Sequence, residues 1–310
     1  MDNQPNILQM ARAPFLSSII SPLLAGTLLS VAISGSFSVL GFVFVLLMGI
    51  GLHVATNVYN DIYDTRQGTD RINIYRNEFS GGSGILVNHP QLEKRMFLLA
   101  RSGLVVALIA TIALMFIVQR SYWLWLWLLF LLAAFFSKYY TAAPVKVAYR
   151  GWGEIAVWFA FGPMAILVAS LSQNVGFHPN VVAAMPITGI STLSILLLGQ
   201  MIDLRADIAA GKLGIAARRG TKITAYVYLI VQIVLMINII VLSFLLKEQG
   251  GMLTIALTPY ILMLPFIWRI LQSEHGNPEA LKKAARLNVQ MHLAFSILFN
   301  LGIGLYMIAR

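Results

Sequence analysis

The sequence predicts an all-α fold, a polytopic membrane bundle of about nine transmembrane helices. Three observations lead there. Hydrophobic residues make up 58% of the 310 and charged residues only 11%, whereas a soluble domain carries about 25% charged residues. The apolar residues gather into runs close to the ~20 residues a helix needs to cross a bilayer. No polar stretch between the runs is long enough for a soluble domain, so residues 1–310 read as a single integral-membrane domain.

The runs are 14–33, 37–59, 97–118, 122–140, 152–171, 181–202, 224–246, 252–271 and 289–309. The opening segment, Met1-Asp-Asn-Gln-Pro5, lacks the basic region of a cleaved signal peptide, so the first run is expected to remain as a span. Gln119-Arg120-Ser121 is the only break between the third and fourth runs and predicts a tight antiparallel hairpin. Pro90 marks a helix start with Asn88 as its cap. Trp123, Trp125 and Trp127 beside Arg120 read as an interfacial aromatic belt. Pro163, Pro186, Pro259 and Pro265 fall inside runs, which membrane bundles tolerate. There is no cysteine, hence no disulfide and no thiol chemistry.

The net charge of +10 would suit nucleic-acid binding, but its distribution gives another reading. Of the 22 Lys and Arg, only Arg120, Lys247 and Arg310 fall in the odd-numbered connections and the C-terminus; the other 19 fall at the N-terminus and in the even-numbered connections. This is a positive-inside pattern. It excludes the need for a nucleic-acid partner and predicts a plasma-membrane protein of bacterial type. The N-terminus and the even connections would be cytoplasmic and the C-terminus on the far side.

Two segments carry the candidate chemistry. The second run ends in Asn57-Val-Tyr-Asn60-Asp61-Ile-Tyr-Asp64-Thr-Arg66-Gln-Gly68-Thr-Asp70-Arg71, and the sixth in Gln200-Met-Ile-Asp203-Leu-Arg205-Ala-Asp207, followed by Gly211-Lys212. Five of the twelve acidic residues lie here. On a helix, His53, Asn57, Asp61 and Asp64 share one face, with Asn60 at its edge, and Gln200, Asp203 and Asp207 form an equivalent stripe. A single Asp at a membrane boundary is usually a solvated or arginine-paired helix end. Two clusters on one side, at matching depth in their helices, favour a two-sided Mg²⁺–diphosphate site. Carboxylate and carboxamide oxygens suit Mg²⁺, and there is no Cys or His cluster for zinc. Arg66, Arg71, Lys138, Lys146, Arg150, Arg205 and Lys212 surround the clusters as candidate phosphate partners. Ser80-Gly81-Gly82-Ser83-Gly84 is a phosphate-approaching loop, a hinge, or simply flexible chain. Glu154 either helps place a ring substrate or is a helix-start charge favoured by the macrodipole.

The pattern Asn60-Asp61-x-x-Asp64 with Asp203-x-x-x-Asp207 and Gly211-Lys212 resembles the two aspartate-rich motifs of the UbiA superfamily of intramembrane prenyltransferases, over nearly the whole chain. Three details resemble its 1,4-dihydroxy-2-naphthoate polyprenyltransferase branch. They are the Gly68-Thr-Asp70 ending, Tyr140-Thr-Ala-Ala-Pro144…Tyr149-Arg150-Gly151-Trp-Gly153-Glu154, and Phe161-Gly162-Pro163. Ala142-Ala143 stands where that branch carries Gly-Gly, and no Asn pair precedes Asp203. The resemblance implies a UbiA-like fold and transfer of a prenyl group from a polyprenyl diphosphate to an aromatic quinone precursor. Mg²⁺ would be held by Asn57, Asp61, Asp64, Asp203 and Asp207. Asn60, Arg66, Asp70, Arg71, Lys138, Lys146, Gln200 and Lys212 would bind around the metal and diphosphate, and Arg150 and Glu154 would contact the acceptor. Other acceptors (homogentisate, 4-hydroxybenzoate, a lipid), a terpene cyclase and a cation-coupled transporter stay open. The transporter would place its acids near mid-membrane, whereas these lie at one end of their helices.

Overall fold

The structure, a computed structural model, describes residues 4–310. Among them are nine helices long and apolar enough to cross a membrane: α1 Ala13–Ser34, α2 Val39–Gln67, α3 Pro90–Met115, α4 Arg120–Tyr139, α5 Gly153–Ser172, α6 Pro179–Ile202, α7 Ile215–Leu245, α8 Lys247–Glu274 and α9 Pro278–Ala309. Each matches one apolar run. The ends differ: α2 continues to Gln67, α7 begins at Ile215, and α9 begins at Pro278. Hydropathy marks only the lipid-immersed part of a helix, and α2 and α9 keep helical backbone beyond it, whereas the early start of α7 is a separate helical stretch that meets the rest at a kink at Gly220 (φ 79°, ψ 165°). Leu128, Leu131 and Phe135 on α4, and Ile230, Ile237 and Phe244 on α7, are exposed, an apolar surface suited to acyl chains and not to water.

The core has two main apolar clusters. Ile19, Leu23, Val45, Ala107, Leu126 and Val168 tie α1 to α2–α5. Leu29, Leu197, Tyr228, Leu253, Ile267 and Phe295 tie α1 to α6–α9. Small residues let the backbones meet: a Cβ on Gly51 of α2 would lie 2.5 Å from the Gly103 carbonyl oxygen of α3, the close approach that membrane helices use in place of a hydrophobic drive. In α5, Ala160–Met164 widens into a π-helical turn around Pro163, whose missing N–H and ring disturb the ladder. Thr188 Oγ1 of α6 donates to the Phe161 carbonyl at 2.8 Å, so a neighbour satisfies an acceptor at the broken turn.

Three details differ from the sequence reading. Asn88 ends a short helix, Ile85–Asn88, and His89 stands at the cap position before Pro90. Pro259 lies in the first turn of the α-helical part of α8, where its missing N–H costs nothing. The acidic stripe of α6 is not a continuous helix. α6 stops at Ile202, Asp203 forms the junction (φ −82°, ψ 2°), and a separate short helix, Leu204–Ala209, carries Asp207. On α2, by contrast, Asp61 and Asp64 lie within unbroken helix.

Candidate active site

The end of α2 and the α6 junction face one cavity from opposite halves of the bundle. Asn57, Asn60, Asp64, Asp70, Gln200, Asp203, Asp207 and Lys212 line it, together with Arg12, Asn73, Tyr140 and the Ser80–Gly82 loop. Asp61 lies just behind this wall, 1% exposed.

Each carboxylate is oriented by identifiable partners. Asp64 accepts from the Tyr149 hydroxyl (2.6 Å) and from Lys212 Nζ (2.9 Å), and Tyr149 also meets Thr69 Oγ1 at 2.6 Å. Asp203 accepts from Asn73 Nδ2 (2.7 Å) and the Gly81 N–H (3.0 Å). Asp61 Oδ1 accepts from the Ser83 N–H (3.1 Å) and lies 3.6 Å from an Arg12 nitrogen. The connection 73–83 therefore bridges both acidic clusters. Its glycine segment directs the Gly81 and Ser83 N–H groups at protein carboxylates, not at open space. Arg76 braces the loop, donating to the carbonyls of Gly81 and Asp70. Gly82, at φ +68°, sits so close that a Cβ would lie 2.6 Å from Asp70 Oδ2 and 3.1 Å from Asp61 Oδ1.

Packing these acids together makes their charged forms costly. Burial, then the charges of Asp64 and Asp61, push Asp70 up to about 8, against Lys212 and Arg76. Burial pushes Asp207 up to about 7, with Lys212 opposing and Asp203 and Asp64 adding to the rise. Burial also raises Asp203, although its bonds from Asn73 and Gly81 oppose this. Burial works against the charge on Lys212, but Asp64 and Asp207 beside it together hold it firmly protonated. Asp61 Oδ2 is buried with no hydrogen-bond partner. A cavity walled by crowded, part-neutralised carboxylates, with an orphaned carboxylate oxygen just behind the wall, fits a hard divalent cation. Among the described residues no three His, Cys, Asp or Glu side chains converge as a self-contained metal cage. That suits Mg²⁺, which binds through one or two carboxylates, waters and substrate phosphates.

Several expected site residues lie elsewhere. Arg66 is exposed and pairs with Glu93, because its position on α2 points it towards α3. Arg71 is exposed and outside the cavity wall. Lys138 and Lys146 stand over the Tyr139 and Tyr149 rings, at 5.2 and 5.3 Å, and neither lines the cavity. Arg150 is exposed and donates to the Pro144 carbonyl, since the Gly151 turn swings it outward. Glu154 accepts from the Ile215 N–H (2.6 Å) and from Gln200 Nε2 (3.0 Å). It caps α7 and holds Gln200 instead of facing the cavity. Conversely, sequence reading missed Arg12, Asn73, Tyr149 and Thr69. Arg12 had counted only as a positive-inside charge. Its left-handed backbone (φ 54°, ψ 47°) before the Ala13–Leu16 turn returns its side chain to Asp61.

Next to the acids lies a second, apolar chamber lined by Leu23, Leu52, Leu129, Phe136, Met164 and Val168. His53, Thr56, Tyr140, Val157 and Phe161 line both spaces and form the junction.

A charged cavity beside a hydrocarbon-lined chamber suits an amphiphile with an anionic head. The model of the UbiA prenyltransferase family matches residues 19–294. The chain belongs to the UbiA prenyltransferase family. Among curated proteins it is similar to the 2-carboxy-1,4-naphthoquinone phytyltransferase of Synechocystis, 27% identical over 300 residues, covering 96% of this chain and 92% of that one. It is also similar to the 1,4-dihydroxy-2-naphthoate octaprenyltransferase of Bacillus subtilis, 26% identical, covering 69% and 66%. A UbiA homolog from Archaeoglobus fulgidus, solved bound to DMAPP and Mg²⁺, superimposes with a TM-score of 0.65 at 15% identity, covering 94% of this chain and 98% of that one. A homolog from Aeropyrum pernix K1 gives 0.65 at 17%, covering 92% and 96%. The chain is thus a membrane-embedded prenyltransferase.

Proposed function

We propose that this UbiA-family enzyme transfers the polyprenyl group of a polyprenyl diphosphate to 1,4-dihydroxy-2-naphthoate, with Mg²⁺ as cofactor and residues 1–310 acting as one unit. The acidic clusters and the N-terminus would face the cytoplasm and the C-terminus the far side, following the charge distribution. The observation that carries the reading is a pair of adjacent cavities that share His53, Thr56, Tyr140, Val157 and Phe161 as walls. One is walled by acids from two helical halves with Arg12 and Lys212, and the other is apolar. The names of the two curated relatives support the naphthoate acceptor.

Asp61, Asp64, Asp203 and Asp207, with Asn57, are the residues that would hold Mg²⁺. When bound, it would neutralise the diphosphate and stabilise the leaving charge. Arg12 and Lys212 bring two further cations to the same mouth. Tyr149 and Lys212 hold Asp64, while Asn73 and Gly81 hold Asp203, so the acids are positioned before substrate arrives. The hydrocarbon walls beyond the junction seat the isoprenoid tail and keep water from the developing allylic cation. Donor and product are lipids, which places this reaction inside a bilayer.

Purified protein in detergent or nanodiscs, given Mg²⁺, a labelled polyprenyl diphosphate and a panel of acceptors, tests the reading by product mass. Prenylated naphthoquinol with loss of CO₂ is the expected product. Preferential prenylation of 4-hydroxybenzoate or homogentisate would reassign the acceptor, and cyclised hydrocarbon or no product would refute the transfer reading.

A further inference from the structure

His53 stands where the polar mouth becomes the apolar chamber and lines both. It lies on the same face of α2 as Asn57 and Asp61. At 1.5 Å per residue it is about 6 Å beyond the first and about 12 Å beyond the second. That level lies past the diphosphate mouth, at the start of the tail chamber, where the bond to be made would sit. The side chain is 7% exposed, and neither ring nitrogen has a hydrogen-bond partner. Phe161 holds the ring edge-on, with centroids 5.3 Å apart at 77°. Its plane is thus fixed by packing, and both nitrogens are buried without a protein partner.

The other polar groups nearby are poor proton acceptors. Thr56 Oγ1 is bonded to the Leu52 carbonyl and Ser137. The Tyr140 phenol is already protonated at neutral pH, where it is no strong base. Arg12 carries no acceptor, and Asp64 is taken by Tyr149 and Lys212. A neutral imidazole offers one acceptor nitrogen and one donor.

We propose that His53 accepts the proton of the acceptor's ring hydroxyl during prenyl transfer, an inference that rests on the function proposed above. As the ring carbon bonds to the allylic carbon, the allylic C–O bond breaks and its electron pair leaves with the diphosphate. The hydroxyl proton passes to the imidazole, and the O–H pair becomes the second bond of a ring carbonyl. Where that ring carbon bears a carboxylate, CO₂ then leaves and its bonding pair restores the ring. The oxygen takes its proton back from His53, which regenerates the base.

The test compares His53→Gln with wild type in the full-length protein in nanodiscs. Glutamine keeps hydrogen-bonding groups but cannot take up a proton at neutral pH. Mg²⁺-dependent binding of polyprenyl diphosphate should be unchanged, which reports an intact fold and mouth. Turnover with dihydroxynaphthoate should fall by about 10²–10⁴-fold, the range of general-base effects. The defect should shrink across ring-substituted acceptors as their hydroxyl becomes more acidic, since an already ionised hydroxyl needs no base. Equal turnover in both proteins, or a drop that is uniform across acceptors, would overturn the role of His53 and leave the transfer reading standing. A wild type that prenylates no hydroxylated ring would overturn both.

Discussion

Gly82→Ala isolates the part played by the 73–83 connection. The substitution has two effects. It places a non-glycine residue at φ +68°, costing about 1–2 kcal/mol of loop stability. It also puts a Cβ 2.6 Å from Asp70 Oδ2 and 3.1 Å from Asp61 Oδ1. Ordinary contact begins near 3.4 Å, so these carboxylates must shift by several tenths of an ångström or the loop must lift. Displacements approaching 1 Å at a preorganised centre cost about 10²-fold in rate. Gly68→Ala is the control. Gly68 also has positive φ (+91°), but nothing lies within 4 Å of an added Cβ. Both variants should lose thermal stability in detergent, Gly82→Ala the more because of its added contact with the carboxylates. Only Gly82→Ala should lose about 10²-fold in kcat/KM together with Mg²⁺ affinity. Equal activity of the two variants would refute the idea that this loop sets the carboxylate positions.

Further predictions follow from the same geometry. Arg66→Ala and Arg150→Ala should leave prenyl transfer near wild type, whereas Arg12→Ala and Lys212→Ala should each weaken polyprenyl diphosphate binding, measured by calorimetry; the reverse order would return the anion site to the outer basic residues. Thr188→Val should leave the Phe161 carbonyl beside the π turn short of a donor, lowering stability by about 1–3 kcal/mol; an unchanged unfolding midpoint would show that another group satisfies it. Folding raises the Asp70 and Asp207 pKa values, from 3.8 to about 8 and about 7. Their protonated forms therefore favour the fold at low pH, and that stability is lost as pH rises through these values. Without divalent cation the unfolding midpoint should fall between about pH 4 and 8, and stabilisation by Mg²⁺ should grow over the same interval as protons are released; a Mg²⁺ effect independent of pH would contradict the assignment of these acids.

The sequence alone determined the class of fold, the number of spans and the two acidic segments. Each of these is a local property. A helix in lipid must satisfy its own backbone and present apolar side chains over about 20 residues, which leaves a mark in any window of the chain. Paired acids at the ends of such runs are conspicuous because they are costly there. The helical face shared by Asn57, Asp61 and Asp64 was legible for the same reason, since α2 does not break before Gln67.

What only the tertiary structure decided is which charges face inward. Arg66 and Arg150 lie within a few residues of catalytic candidates yet point away, while Arg12, some fifty residues before Asp61, reaches it at 3.6 Å. Asn73 and Gly81 bond Asp203 from about 130 and 122 positions away in the chain. Glu154, open in the sequence between a ring-placing role and a helix-start charge, bonds the first N–H of α7, 61 positions away. Side-chain direction at helix ends depends on the turn that follows, such as the left-handed residues at Arg12, Gly82 and Gly151. Which partner is then met depends on how helices distant in sequence pack. Composition fixes that a charge must lie at the membrane surface; only packing fixes whether it lines the cavity or the water outside it.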